Sequence, residues 1–312
     1  MRRALLVAII AALVSGCFIY TTKTWRMRSM INEYFDPEKG IYPSLDDKIF
    51  DTRTRFTGIM DSRHFAEEFG FWIFLTEPHD PARIPVVLVH GHWTGPPAFK
   101  RLAASLDRKH FEPWFTYYPT GEDLQEIAIQ FRQNLERLCA YYHQQTVVII
   151  GFSMCGLVAR QALRPMEDNV TMPRVPLLIG ISNPWGGSMK VRTGTRFTFA
   201  AKSWHQFVDG SEFITHLFDD PLPAETAFHM IYGLGGDDEF LPGPDDGMLS
   251  EQTMRRPEAV AQAASVMIVP EATHTSIISD ARAICKVNEL LADLGTGAAE
   301  DRGPTVRVGQ QP

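Results

Sequence analysis

The sequence of 312 residues has little of what marks several large functional classes. Lys and Arg number 30 against 37 Asp and Glu, a formal charge of −7, and no basic run occurs. Phosphate binding needs a basic face, so the balance argues against nucleic acid as a partner. Cysteine is scarce, with only Cys17, Cys139, Cys155 and Cys285. That is too few for a disulfide framework, so the fold must rest on an apolar core, which 45% hydrophobic residues can supply. No P-loop, H-E-x-x-H or dinucleotide fingerprint is present, and no cofactor or metal is implied. No internal repeat is visible, which leaves out solenoids and propellers.

Long apolar runs are also missing, apart from one at the start. Met1-Arg2-Arg3 precedes eleven apolar residues, Ala4 to Val14, and then Ser15-Gly16-Cys17. A charged n-region, an h-region of that length and a small-residue site make a secretory signal. Its ending, Val14-Ser15-Gly16-Cys17, resembles the lipobox of bacterial lipoproteins, in which the Cys becomes the lipidated first residue. The expectation is a signal peptide over 1–17 and a lipid anchor at Cys17 in the bacterial cell envelope. Phe18 rather than Asp follows the Cys, which in Gram-negative lipoproteins goes with the outer membrane. The alternative is an uncleaved anchor from Ala4 to Tyr20, close to the lower limit of ~17 residues for a spanning helix.

Residues 18–68 are polar and weakly periodic, with a loop at Tyr34–Gly40, and carry no recognisable chemistry. From Phe69 the pattern changes to short unbroken apolar runs. These are "FGFWIFLT", "IPVVLVHG", "EPWFTYYP", "TVVIIGFS", "VPLLIGISNP", "AFHMIYGLGG" and "SVMIVPEATH". Runs without alternation suggest strands buried on both faces. Helical stretches fall between them, at about 97–108, 122–143, 155–165 and 252–264, with 276–294 last. In the second, Leu124, Ile127, Phe131, Leu135 and Leu138 recur at three and four, which is one helix face. Strands alternating with helices predict an α/β fold, a mostly parallel doubly wound sheet with helices on both faces. An aromatic, basic segment at 186–225 breaks the rhythm and reads as a lid-like insertion, and 295–312 reads as a disordered tail.

One run carries the chemistry. "VVIIGFSMCGLV" (147–158) is a strand turning into a helix with Ser153 at the corner. A serine hydroxyl there needs a base to take its proton and a third group to orient that base. On such sheets the order along the chain is Ser, acid, His. Of the histidines after Ser153, His205 and His216 lie in the insertion and His229 in a strand. His274 follows the last strand, in a loop before a helix, where a catalytic base belongs. The acid should lie in "LGGDDEFLPGPDDGMLS", which offers Asp237, Asp238, Glu239, Asp245 and Asp246. Five carboxylates could also make a solvated turn or a Ca²⁺ site, although the spacing is not that of an EF-hand.

Taken together, "IPVVLVHGHWTGPP", "FEPWFTYYPTGEDL", "GFSMCGLVAR", "ISNPWGGS", "DDGMLS" and "THTSII" resemble the α/β-hydrolase superfamily, nearest to lipase and esterase-like members. The resemblance covers about Phe69 to Leu291, within a hydrolase domain of 69–294. It implies a Ser-His-acid hydrolase without cofactor, and an insertion placed after the sixth strand. Asp246, before Gly247 and two apolar residues, looks most like the acid-bearing turn of bacterial lipases; Asp238 is the alternative because it lies closer to the strand end. The oxyanion donors implied are the backbone N–H of Met154, after the nucleophile, and of His92, after the His90-Gly91 turn. One departure stands out. The superfamily's G-x-S-x-G is here Gly151-x-Ser153-x-Cys155, with Gly156 one place late, and Cys155 reads as packing rather than a nucleophile.

The expected function is hydrolysis of carboxylic esters through an acyl-enzyme on Ser153, on a lipid or hydrophobic ester given the aromatics at the insertion (Trp185, Phe197, Phe199, Trp204, Phe207, Phe213 and Phe218). Those aromatics could equally be ordinary packing. Acyl transfer to another alcohol uses the same residues. A catalytically silent envelope-associated protein that uses the fold for binding or assembly is the alternative from another class, and loss of Ser153, His274 or the acid would have favoured it.

Overall fold

The computed structural model describes residues 32–166, 170–196 and 200–300. The leader with Cys17, Phe197 and Phe199, and residues 301–312 lie outside them. The seven apolar runs form one sheet: β1 (Trp72–Phe74), β2 (Ile84–Val89), β3 (Phe111–Tyr117), β4 (Thr146–Phe152), β5 (Arg174–Ile181), β6 (Ala227–Gly233) and β7 (Ser265–Val269). The strand order is β1-β3-β2-β4-β5-β6-β7. β1 is antiparallel to β3, and every other pairing is parallel.

The lack of alternation has the expected cause. Successive strand residues point to opposite faces, and every residue of β3, and all but the first of β4, is buried. Both faces are therefore covered. The helix Leu124–Tyr142 packs with Cys155–Leu163, and the helix Lys100–Ser105 packs with Ala281–Glu300. Asp123 caps the first of these, accepting from the amides of Gln125 and Glu126, and His143 ends it with φ 56°. Its buried stripe is the one spaced at three and four in the sequence.

Several element boundaries depart from the sequence reading. The stretch 252–264 is two helices, Glu251–Met254 and Pro257–Gln262, because Pro257 holds Arg256 extended (ψ 131°). The last helix runs to Glu300, past the tail boundary set at 295, with Ala298, Ala299 and Glu300 favouring helix despite Gly295 and Gly297. Within 18–68 two helices appear, Thr52–Met60 and Ser62–Glu68, each started by an aspartate, Asp51 and Asp61, that accepts from a first-turn amide. The insertion holds three short helices, Val191–Gly194, Lys202–Phe207 and Glu212–His216. In this chain's own count it follows β5 rather than a sixth strand, since the sheet has seven.

The chain leaves β2 for β3 on one side and returns to β4 on the other. The crevice at the carboxyl ends of β2 and β4 is thus the switch point of the sheet, where open α/β sheets place their ligands. Ser153 and the His90-Gly91 turn both lie there.

Candidate active site

β4 stops at Phe152 and the next helix starts at Cys155, so Ser153 and Met154 make the whole turn. Ser153 sits at φ 57°, a left-handed backbone that costs a non-glycine residue roughly 1–2 kcal/mol. Its amide donates to the Ile181 carbonyl at 2.9 Å, which ties the corner to the end of β5. The hydroxyl meets Nε2 of His274 at 2.9 Å.

His274 follows β7 in a short loop. Its Nδ1 lies 2.7 Å from Oδ2 of Asp246, and its backbone N–H donates to the Asp246 carbonyl at 2.7 Å. Asp246 is fully buried, and its other oxygen accepts from the amides of Met248 and Leu249 at 2.9 and 2.8 Å. A buried carboxylate needs such partners to remain charged. With Asp246 accepting, the proton of His274 belongs on Nδ1, leaving Nε2 free to accept from Ser153.

Asp238 is elsewhere. It pairs with Lys190 of the insertion, which holds its carboxyl below the usual range. Asp245 is spent inside the loop, accepting from Gly247 at 2.6 Å and from Asp238 at 3.3 Å. Of the other histidines, His216 pairs with Asp219, His229 meets Ser265, and His205 is exposed.

The turn after β2 presses against the serine. A Cβ on Gly91 would lie 2.6 Å from the Ser153 Cβ, so only glycine fits. Next comes His92, whose ring sits among Trp93, Trp204 and Phe207 with centroids 5.6, 6.1 and 5.6 Å away. Burial pushes its imidazole down to about 4 and keeps it neutral. Its Nε2 accepts from Trp204 Nε1 at 2.8 Å. The backbone N–H groups of His92 and Met154 donate to no protein acceptor among the described residues.

Two segments reach the site in ways not legible in the sequence. The insertion reaches across the site, through Trp204 to His92 and through Lys190 to Asp238 and the Gly247 carbonyl at 2.6 Å. The segment 18–68, to which no chemistry could be given, also touches it: Arg55 bonds the Trp93 carbonyl at 3.5 Å and Phe56 lies 5.9 Å from the Trp93 ring. Trp185 and Phe218, by contrast, are buried and pack on each other, with ring centroids 5.8 Å apart.

Cys155 is fully buried, with its sulfur against the Tyr118 hydroxyl. That hydroxyl donates to the His90 carbonyl at 2.7 Å. Burial pushes the Cys155 thiol up to about 12, so it is neutral and no nucleophile at ordinary pH. Cys139 is buried and Cys285 exposed, and all three are free thiols.

No family model matches the sequence. Among solved structures, the mature form of a Bacillus licheniformis lipase superposes with a TM-score of 0.52 over 73% of this chain and 97% of its own, at 18% identity. The chain has the α/β-hydrolase fold. A carboxylesterase of Nitrososphaera gargenis shares the hydrolase fold at TM-score 0.51 and 12% identity, over 74% of this chain and 97% of that one. Aspergillus fumigatus lipase B does so at 0.51 and 17%, over 70% and 56%. In sequence, a lysosomal thioesterase homologue of Drosophila melanogaster is 21% identical over 169 residues, 51% of this chain. The chain spans about half the length of that relative, 48%.

Proposed function

We propose that this chain is a serine hydrolase that cleaves carboxylic esters through an acyl-enzyme on Ser153. What carries the reading is the unbroken chain from Ser153 Oγ to His274 Nε2 and from His274 Nδ1 to Asp246, set at a strained strand-to-helix corner. As Oγ attacks the ester carbonyl, its proton passes to Nε2 of His274 and Asp246 stabilises the imidazolium. The amides of Met154 and His92 receive the oxyanion, each worth roughly 3–4 kcal/mol when aimed at it. Collapse expels the alcohol, which leaves with the proton of His274. Water, deprotonated by the same nitrogen, then releases the acid and restores the hydroxyl.

The substrate is a lipid or another hydrophobic ester. Half-exposed Trp93 and Met248 flank the site beside His92 and Asp246 and give it an apolar approach. The lipid anchor at Cys17 belongs to the same proposal and would hold the enzyme in the envelope membrane. Among the described residues no helix is long and apolar enough to cross a membrane.

A panel of p-nitrophenyl esters and matching thioesters, run with wild type and Ser153→Ala, tests this. Turnover rising with acyl length in wild type, and absent in the variant, is the expected result. Equal turnover by both proteins would sink the proposal.

A further inference from the structure

The displaced glycine of the elbow has a physical partner. Asn183 leaves the end of β5, just after Ser182 at φ 45°, and is 2% exposed. Its side-chain amide donates to two backbone carbonyls of the elbow, that of Gly151 at 3.0 Å and that of Ser153 at 2.6 Å. Both amide hydrogens are therefore used, one on either side of Phe152. The space for this side chain is made by glycines on two elements. A Cβ on Gly156 would lie 2.1 Å from Nδ2 and 2.3 Å from Cγ, and a Cβ on Gly180 would lie 2.3 Å from Oδ1. Gly151 closes the arrangement, since a Cβ there would meet the Gly156 Cα at 2.8 Å. The Cys155 side chain points instead at Tyr118 and needs no such room.

We infer that Asn183 is a positioning residue for the nucleophile, and that the glycine stands at 156 rather than 155 to make room for its amide. Ser153 is held in a left-handed conformation that its own backbone disfavours. Two bonds from one amide hold the Gly151–Phe152 and Ser153–Met154 peptide groups, and with them the direction of the Ser153 hydroxyl toward His274. Nothing about Asn183 touches the reacting atoms; it acts through Ser153. The inference rests on the hydrolase reading above.

The test compares wild type with Asn183→Ala, Asn183→Asp, Gly156→Ala and the double variant Asn183→Ala/Gly156→Ala. Readouts are kcat and KM on p-nitrophenyl butyrate, the rate of fluorophosphonate labelling and the melting temperature. A misplacement of the nucleophile by about 1 Å costs on the order of 10²-fold. Asn183→Ala should lower kcat and labelling by about that factor, with KM within about twofold. Asn183→Asp fills the same space but, ionised, cannot donate and turns an oxygen toward both carbonyls, so kcat and labelling should fall at least as far. Gly156→Ala should fall by driving its Cβ into the amide. Added to Asn183→Ala it should cost no more than about twofold further, because the space is then vacant.

Asn183→Asp and Gly156→Ala at wild-type rates, or losses that multiply in the double variant, would overturn the inference. Should Asn183→Ala fail to fold, as melting would reveal, those two variants still decide. A folded wild type that neither labels nor hydrolyses overturns the hydrolase reading itself, and the positioning role falls with it. An active wild type with unaffected variants removes only the role of Asn183.

Discussion

Asp246 and Asp238 share one loop and one charge, yet their surroundings give them different work. Asp246 is buried and bonds His274 with one oxygen and two amides with the other. Asp238 pairs with a part-buried lysine of the insertion, Lys190. Replacing Asp246 by Asn removes the acceptor that fixes the His274 tautomer, and kcat should fall by about 10⁴-fold with the fold intact. Asp238→Asn should stay within about tenfold, since the part-buried pair with Lys190 that it weakens makes no contact with His274. Steady-state kinetics on one ester substrate decide the matter, and the reverse ranking would assign the acid to Asp238. At this scale the sequence told much. Chain order pointed to His274 as the base for Ser153, and the likeness of Asp246-Gly247 to the acid turn of lipases pointed to Asp246; the three side chains lie within hydrogen-bond distance in series. Hidden from it was Asn183, because its bonds to Gly151 and Ser153 join segments far apart in the chain. The late glycine at 156 was the one visible sign, and it reads as a departure until the amide beside it is seen.

At the scale of elements, the insertion is pinned on both flanks of the site. Trp204 donates to His92, whose backbone N–H is the proposed oxyanion donor, and Lys190 ties the other flank to the acid loop. An aromatic residue here can act as an acyl-binding wall or as a brace for the oxyanion turn. Trp204→Phe separates the two, since it keeps most of the ring and loses the N–H. Removing an oxyanion donor costs 10²–10³-fold in kcat, so loosening one should cost about tenfold, with KM within about twofold. A rise in KM at constant kcat would make Trp204 a wall only. Its pairing with His92 could not be read from sequence, since each residue alone looks like ordinary aromatic packing. The break at Arg256-Pro257 has a local cause that the reading of 252–264 as one helix overlooks: a residue before proline leaves the helical region.

For the whole molecule, unbroken apolar runs were enough to give the parallel sheet, because strands buried on both faces need no polar side. The short antiparallel β1 carries no separate signal, since its three residues are as buried as those of its parallel neighbours. The same depth of burial sets a pH response. His90 and His92 are both pushed down from 6.5 to about 4, chiefly by loss of solvation. Between those values the unfolded chain takes up protons that the folded chain refuses, so stability falls as pH drops from 6.5 to about 4. The melting temperature should therefore decline through that window, and His92→Gln, whose side-chain oxygen can still accept from Trp204, should flatten the slope. A melting temperature that rises on acidification would contradict the buried neutral state of these rings.

The central claim is that Ser153 is an activated nucleophile despite the cysteine in its elbow. A fluorophosphonate probe followed by mass spectrometry of the labelled peptide tests it most directly, with Ser153→Ala and His274→Ala as controls. The account predicts one adduct, on Ser153, in wild type and none in either variant. A folded wild type that takes up no probe, or takes it up at another residue, would contradict it.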